Sequence, residues 1–237
     1  MEQIQDRGIV IRAAIHGNSS QIVTIFSKHY GVINGYIKGG FKKNALIVGN
    51  IVDFLWQARV VSHLGNLEIV ILENFSTVFA TNILKMTTIQ TICEVIYRTI
   101  NERDQHTDLF ESILPILQKL KDTDNNNIIA NLYIQFEILL FNHLGFGFNF
   151  KECNISGSEK PEFISPKTGN AVSKKIATGY ENQLFKIPTF ILQNLMPSGD
   201  EVQNMLVINL HFLHLHFGGK EYHTRKFLQT LLHKLCV

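Results

Sequence analysis

The apolar residues of this chain change their spacing at about residue 75, and that change restricts the folds open to it. Before it, short β-branched runs alternate with turn clusters such as Gly17-Asn18-Ser19-Ser20 and His29-Tyr30-Gly31. After it, apolar residues recur three and four positions apart, which is the spacing of one helix face. The sequence therefore predicts an α+β chain, with a small β-domain over 1–75 and a mainly α-helical domain over 76–237.

The first segment reads as five strands. Their predicted bounds are 8–16, 21–28, 32–38, 51–61 and 67–72. Five short strands with turns at this spacing are typical of a small closed or partly open barrel.

The second segment reads as helices around an irregular insert. Apolar residues keep helical spacing from Ser76 to the early 140s, and Thr107-Asp108 resembles a helix start. The insert, at about 146–184, is richer in Gly, Ser, Lys and Pro, and we expect two short strands in it, near 162–164 and 171–173. Helical spacing then returns at 189–195, 200–217 and 224–232.

Composition places the chain among globular proteins with sizeable cores, because 45% of its residues are hydrophobic and 18% are charged. The cysteines Cys93, Cys153 and Cys236 lie far apart without a CxxC, so we expect reduced thiols in a cytoplasmic protein. The N-terminus has no apolar signal core, and no apolar run reaches about 18 residues. Neither a secretory signal nor a transmembrane helix is expected.

Charge is distributed unevenly along the chain. No Asp or Glu occurs between Arg7 and Val52, and this window contains six basic residues although the whole chain has a net charge of only +2. Two of these residues follow glycines in the loop Ile37-Lys38-Gly39-Gly40-Phe41-Lys42-Lys43. A basic β-domain with aromatic residues among its charges favours a polyanionic partner, with nucleic acid as the first candidate.

Small barrels bind single strands by combining a positive groove with aromatic faces on which bases stack. Lys38, Lys42 and Lys43 are the candidates for phosphate contact, and the nearby aromatic residues are Tyr36, Phe41 and Trp56. The alternative is that the lysines solubilise a loop and the aromatic residues fill the core.

No catalytic motif supports an enzyme. The sequence contains neither GxSxG nor GxxxxGK[ST], and no carboxylate pair stands out as a general acid and base. His211 and His214 share a helix face, but no HExxH or carboxylate accompanies them, so a structural role is expected for these histidines and for His216. A metal-dependent enzyme that uses these histidines remains an alternative.

Apolar residues are abundant in the helical domain. Phe136, Leu139, Leu140, Phe141 and Phe146 exceed what one helix face needs, so some of them are candidates for a groove that holds a partner peptide. A protein-interaction adaptor with no direct DNA contact is therefore the alternative function.

Several runs of residues, taken in order, carry a resemblance to a known family. In the β-domain they include Gly8-Ile9-Val10-Ile11, His16-Gly17-Asn18-Ser19-Ser20, Phe26-Ser27-Lys28-His29-Tyr30-Gly31, Gly35-Tyr36-Ile37-Lys38-Gly39-Gly40 and Trp56-Gln57-Ala58-Arg59. Later runs include Phe136-Glu137-Ile138-Leu139-Leu140, Leu144-Gly145-Phe146-Gly147-Phe148 and Cys153-Asn154-Ile155-Ser156-Gly157, with a further run over 163–173. Together they resemble the RecO family of bacterial DNA repair and recombination mediators.

The resemblance implies an N-terminal OB-fold and a C-terminal helical domain. It also implies binding to single- and double-stranded DNA and annealing of complementary strands. With RecR, and in some settings RecF, such proteins load RecA recombinase on DNA coated by single-strand-binding protein, whose C-terminal tail contacts the helical domain. They do so without hydrolysing nucleotide, so no cofactor is expected, and they work at the nucleoid.

Carried over by position, the basic residues after the family's third strand correspond to three lysines of this chain. The candidate DNA-binding residues are, in order of preference, Lys38, Lys42 and Lys43, then Arg12, Lys28 and Arg59, with the aromatic residues Tyr36 and Phe41. Lys174-Lys175 and Arg225-Lys226 are the local candidates in the helical domain.

Many members of the family hold a four-cysteine zinc module in the insert. This chain keeps Cys153, but Ser156, Ser165 and Gly169 supply no thiolate. We therefore expect no zinc site and no other metal.

Overall fold

The computed structural model describes most of the chain. The described residues are 2–17, 20–38, 46–60, 64–150, 152–153, 155–157, 161–219 and 221–236. They form two compact units, of which the first comprises 1–122 with 222–228 and the second comprises 123–221 with 229–237. The domain boundary expected after residue 75 separates strands from helices and stays a prediction.

The first unit contains a closed five-stranded barrel. Its strands are β1 (Glu2–His16), β2 (Ser20–Ser27), β3 (Gly31–Ile37), β4 (Ile51–Ala58) and β5 (Gly65–Glu73), in the spatial order β1-β2-β3-β5-β4. Neighbouring strands are antiparallel except β3 and β5, which run parallel and pair at Gly35–Gly65 and Tyr36–Asn66. The predicted α+β class and five-stranded OB-like barrel are confirmed.

The first strand closes the barrel, and it begins six residues earlier than the apolar pattern predicts. Its N-terminal half pairs with β4, from Glu2–Ala58 to Ile9–Ile51, and its C-terminal half pairs with β2. Gly8 lies where the two pairings overlap, and a Cβ at this position would overlap the Ile25 Cγ2 atom. A glycine is therefore required where β1 passes from one neighbour to the other.

The barrel core is filled by alternating residues of its strands. The buried cluster comprises Val10, Val23, Ile25, Ile33, Leu46, Val52, Phe54, Trp56, Ala58 and Leu67. Trp56 is fully buried, its indole Nε1 donates a hydrogen bond to the Asn34 carbonyl oxygen at 3.0 Å, and the Arg103 guanidinium lies 4.4 Å from the centre of its ring. This corrects the interpretation of Trp56 as a base-stacking candidate, because its ring is enclosed by the protein.

Three helices follow the barrel in the first unit: α1 (Ser76–Thr81), α2 (Ile83–Thr99) and α3 (Thr107–Asp122). The start of α3 at Thr107 is as predicted. The break between α1 and α2 was not predicted, and Asn82 causes it. Its side-chain oxygen accepts hydrogen bonds from the backbone N–H groups of Leu84 and Lys85, which caps the new helix.

The second unit combines helices with a small sheet. Its elements are α4 (Asn126–His143), β6 (Pro161–Ile164), β7 (Ala171–Ser173), α5 (Lys174–Ala177), β8 (Phe185–Lys186), α6 (Thr189–Gln193) and α7 (Gly199–Phe217). The final helix, α8 (His223–Leu235), supplies residues to both units. The two short strands expected in the insert are present, and β8 adds a third to give the order β7-β6-β8.

A buried polar network joins α4 and α7. The Glu137 carboxylate is fully buried and accepts hydrogen bonds from the Tyr133 hydroxyl at 2.6 Å and the Asn209 amide at 3.0 Å. Such a group is tolerated in a core only when it has partners, so this network fixes the pairing of the two helices. Among the helices that the structure describes, none is long and apolar enough to cross a membrane.

Candidate nucleic-acid interface

The outer face of β1, β2 and β3 carries most of the candidate residues that the structure describes. Val23, Ile25 and Ile33 point into the barrel, so the residues that alternate with them point outward. The register places three cross-strand rows on this face, namely Arg12–Thr24–Asn34, Ala14–Ile22–Tyr36 and His16–Ser20, the last near Lys38 at the end of β3.

One half of this face is covered. Phe26 is fully buried, and its ring lies 5.8 Å from that of Phe110 in α3. The Thr24 hydroxyl donates a hydrogen bond to the Asn34 side chain at 2.7 Å, and the Asn34 amide donates one to Glu102. The half that remains open therefore lies toward the C-terminal end of β3.

Lys38, Tyr36 and His16 lie in this open half. Lys38 is exposed just beyond β3, and among the described residues it has no ion-pair partner. Tyr36 is half-buried. Its ring packs edge to face against the His16 ring, with 5.9 Å between the ring centres. An exposed cation beside a partly open aromatic ring is the combination that single-strand binding uses.

Arg12 reaches the same face because of a β-bulge. Val10 pairs with Ile25 and Arg12 pairs with Thr24, so Ile11 is an extra residue in β1. The exposed Arg12 side chain turns toward α2, where its Nη1 donates a hydrogen bond to the Tyr97 hydroxyl at 2.9 Å. Its guanidinium also lies 5.2 Å from the centre of the Tyr97 ring, which is within cation–π range.

The other basic candidates differ in how free their charges are. The Lys28 ammonium lies 2.5 Å from the Glu111 carboxylate of α3 and is about one-third exposed, so its charge is shared within the protein. Arg59 is exposed directly after β4. Phe41, Lys42 and Lys43 lie outside the described residues, so their predicted roles stay predictions.

Sequence reasoning missed Tyr97 and Arg98 of α2. Tyr97 is 39% exposed, although in the sequence it lies between the buried residues Ile96 and Ile100. The adjacent pair Tyr97-Arg98 could have been singled out from the sequence, but the apolar periodicity of α2 indicates only the residues of its buried face.

Glu94, one turn before Arg98, anchors this region of α2. Its Oε1 accepts from the Arg98 Nε at 3.0 Å and the His223 backbone N–H at 3.3 Å, and its Oε2 accepts from the Thr224 backbone N–H at 2.9 Å. Burial alone raises the pKa of Glu94, but the hydrogen bonds from Thr224 and Arg98 outweigh it and hold the pKa below its usual value. The carboxylate thus stays ionised and caps the start of α8.

Cys153, the cysteine for which we expected no zinc partners, lies in the second unit. Burial tends to raise the pKa of its thiol, but hydrogen bonds from the Ser156 hydroxyl and from the backbone of Ser156, Ser173 and Ile155 lower it to about 6. The Ser156 and Ser173 hydroxyl oxygens lie 3.2 Å apart. Within the described ranges no group of three His, Cys, Asp or Glu side chains is arranged to hold a metal.

Two of the C-terminal histidines make packing contacts in the second unit. The His211 Nε2 lies 2.8 Å from the Pro166 carbonyl oxygen, to which it donates a hydrogen bond. The His216 ring stacks on Phe146 with 4.0 Å between centres. Burial, followed by the nearby His211, lowers the pKa of His216 and favours the neutral ring. These contacts account for the two side chains without a ligand.

Comparison with protein families supplies the deciding observation. Residues 1–75 match the model described as recombination protein O N terminal, and residues 80–225 match recombination protein O C terminal. The chain belongs to the recombination protein O family. The N-terminal model of the RecO family ends one residue before α1, so it covers the barrel and all the candidate DNA-binding residues of the β-domain.

Similar proteins from several bacteria carry the name DNA repair protein RecO. The protein of Rickettsia canadensis (strain McKiel) is 27% identical over 98% of this chain and 97% of its own length. That of Orientia tsutsugamushi (strain Ikeda) is 29% identical over 87% of this chain and 86% of its own length. That of Rickettsia bellii (strain OSU 85-389) is 30% identical over 80% and 78%. The similarity to RecO therefore extends over both the barrel and the helices.

Proposed function

We propose that this chain is a non-enzymatic DNA repair and recombination mediator that binds DNA on the open half of the barrel face. The observation that carries the proposal is the placement of Arg12, Tyr36 and Lys38 on one outer face. These residues come from two strands separated by β2, and the surrounding sequence window has no carboxylate. Membership in the RecO family supports the same function.

Binding on this face is electrostatic and reads little sequence. Lys38, together with Lys42 and Lys43 further along the sequence, pairs with phosphates, while the Tyr36 ring stacks on an unpaired base. Arg59 and Lys28 are second choices, and Lys28 contributes less because it shares its charge with Glu111. Neutralising two backbones while leaving the base edges free allows complementary strands to anneal.

The proposed partners follow from the family. We propose that the chain works with RecR, and in some settings RecF, to load RecA on single-stranded DNA coated by single-strand-binding protein. The C-terminal tail of that coating protein is the proposed peptide ligand of the helical domain. The protein binds single- and double-stranded DNA and acts in the cytoplasm at the nucleoid.

Strand annealing tests this function directly. Complementary oligonucleotides are coated with single-strand-binding protein, and annealing is followed with and without RecR. The mediator function predicts faster annealing with the chain present, together with salt-sensitive binding to a random oligonucleotide. The alternative, an adaptor without DNA contact, predicts that the chain binds the coating protein but not the naked oligonucleotide at any salt concentration.

A further inference from the structure

A cleft of about 480 Å³ lies between β1 and α2 in the first unit. Ile11 and Arg12 line it from the bulged part of β1, and Gln90, Tyr97 and Arg98 line it from α2. Its volume is in the range of sites that hold a single small ligand or one nucleotide of a chain. A flexible single strand can turn one nucleotide into a cleft of this size, whereas a duplex keeps its nucleotides paired and stacked.

Two arginines face the cleft from opposite sides. The Arg12 Nη1 donates a hydrogen bond to the Tyr97 hydroxyl, and the Arg98 Nε donates one to the Glu94 carboxylate. Among the residues that the structure describes, the remaining guanidinium nitrogens of both side chains have no hydrogen-bond acceptor. Guanidinium groups with free N–H donors are well suited to a phosphate, which accepts several such bonds at once.

Glu94 also lines the cleft, and its negative charge opposes the binding of an anion. Its two oxygens are already occupied by Arg98 and by donors of His223 and Thr224 at the start of α8. A carboxylate held in this way repels an incoming anion less than a free one, because its charge is compensated by the protein. With Arg12 and Arg98 each positive and Glu94 negative, the cleft keeps an excess of one positive charge.

The position of the cleft connects it with the open half of the barrel face. Arg12 pairs with Thr24, which pairs with Asn34, and Tyr36 follows two residues later on the same side of β3. Adjacent strands are about 4.8 Å apart, so β1 and β3 are separated by roughly 10 Å. A single strand that contacts Lys38 and Tyr36 therefore needs to advance only a short distance to reach Arg12.

We infer that this cleft binds a phosphodiester group of single-stranded DNA, with Arg12 and Arg98 as phosphate ligands and Tyr97 packing against the adjoining sugar or base. The inference rests on the proposed function and extends its binding face from the barrel onto α2. It gives the chain a site that favours a single strand over a duplex.

Salt-dependent binding of a fluorescein-labelled oligothymidylate tests the site. Arg12→Gln removes one phosphate ligand from an exposed position, so the slope of log affinity against log salt should become shallower by about 0.7. Arg7→Gln is the matched control, because Arg7 is an exposed arginine of the same strand whose Nε is paired with Asp53 at 3.0 Å. The control Arg7→Gln should leave the slope unchanged. Arg12→Gln should weaken the binding of a duplex less than the binding of a single strand.

Photocrosslinking supplies a second measurement that does not depend on a variant. An oligonucleotide containing 5-iododeoxyuridine should crosslink to the peptide that contains Tyr97 as well as to the peptide that contains Tyr36. An unchanged slope in Arg12→Gln, with crosslinks at Tyr36 but not at Tyr97, overturns the cleft site and leaves DNA binding by the barrel standing. Loss of salt-sensitive binding in the unmodified protein itself would instead overturn the proposed function.

An acidic peptide is the competing occupant, and the same variants distinguish it. If Arg12→Gln abolishes binding of a short poly-aspartate peptide while oligothymidylate binding keeps its affinity and slope, the cleft is a peptide site and the inference is wrong. If the peptide binds Arg12→Gln and the unmodified protein equally, the cleft remains assigned to DNA.

Discussion

Glu94 of α2 caps a helix that begins 129 residues later, because its carboxylate accepts hydrogen bonds from both the backbone N–H of Thr224 at 2.9 Å and the Thr224 hydroxyl at 2.5 Å. The same carboxylate pairs with Arg98. One side chain therefore holds the start of α8 and orients an arginine of the cleft, and its loss should affect folding as well as ligand binding.

Replacing Glu94 with Gln should lower the free energy of unfolding by about 1–3 kcal/mol, since charge-assisted hydrogen bonds and a helix cap are lost together. Urea unfolding measures this. Glu111→Gln is the control, because Glu111 is about half exposed and its pair with Lys28 should contribute less than about 1 kcal/mol. Equal effects of the two substitutions would contradict the anchoring role of Glu94.

Asp6 should make stability depend on pH in acid. Burial raises its pKa, but hydrogen bonds from Ser27 and His29 outweigh it and hold the folded-state pKa below the ordinary value of 3.8. The carboxylate therefore stabilises the fold above that value, and this contribution disappears as the pH falls through the lower, folded value.

Urea midpoints between about pH 2 and pH 7 measure the effect of Asp6. The difference between the unmodified protein and Asp6→Asn should be largest near neutral pH and should shrink below about pH 4. Asp53→Asn, at a carboxylate that is half exposed, should show a much smaller difference. A difference for Asp6→Asn that stays constant across this range would refute the assignment.

The lysines that follow β3 should dominate the electrostatics of DNA binding. Three phosphate contacts predict a slope of roughly −2 in log affinity against log salt on single strands. The combined replacement of Lys38, Lys42 and Lys43 by Ala should flatten this slope and reduce annealing. Fluorescence anisotropy over a salt series provides the measurement.

A charge-matched control separates local contact from net charge. Lys119, Lys167 and Lys234 are exposed and lie outside the β-domain, so their combined replacement by Ala removes the same charge elsewhere. It should leave the slope close to that of the unmodified protein. If both triple variants lose affinity equally, the lysines after β3 do not form the site.

Gly8→Ala should destabilise the barrel by about 1–3 kcal/mol, because the added methyl group must displace the buried Ile25 side chain. Gly219→Ala is the matched substitution, since no atom lies within 4 Å of a Cβ built there. Its free energy of unfolding should change by less than about 0.5 kcal/mol. Chemical denaturation of both variants compares the two glycines, and a neutral Gly8→Ala would show that β1 can shift to make room.

The order of strands and helices was predictable because apolar spacing differs between them. The start of β1 was not, since Ile4 is the single apolar residue of 2–7 and the strand's partner there, β4, lies some 50 positions along the chain. The division at Asn82 was also missed, because one side chain competing for backbone N–H groups does not alter apolar periodicity.

The candidate site was predicted only in part for similar reasons. Charge alone identified Lys38 and Arg12, but it could not show that Lys28 is paired with Glu111 or that Trp56 is enclosed. Tyr97 and Arg98 join Arg12 across 85 residues of sequence. Such a cluster depends on how α2 packs on β1, which no local pattern records.

The short pairing between β3 and β5 has a dynamic consequence. In the described part of the chain the two strands are joined through Gly35–Gly65 and Tyr36–Asn66, whereas the other neighbouring strands pair along most of their length. Transient opening of the barrel therefore costs the least free energy between β3 and β5. Amide protons of Tyr36 and Asn66 should exchange with solvent before those of β1 and β2, and a ligand held by Tyr36 would slow that exchange.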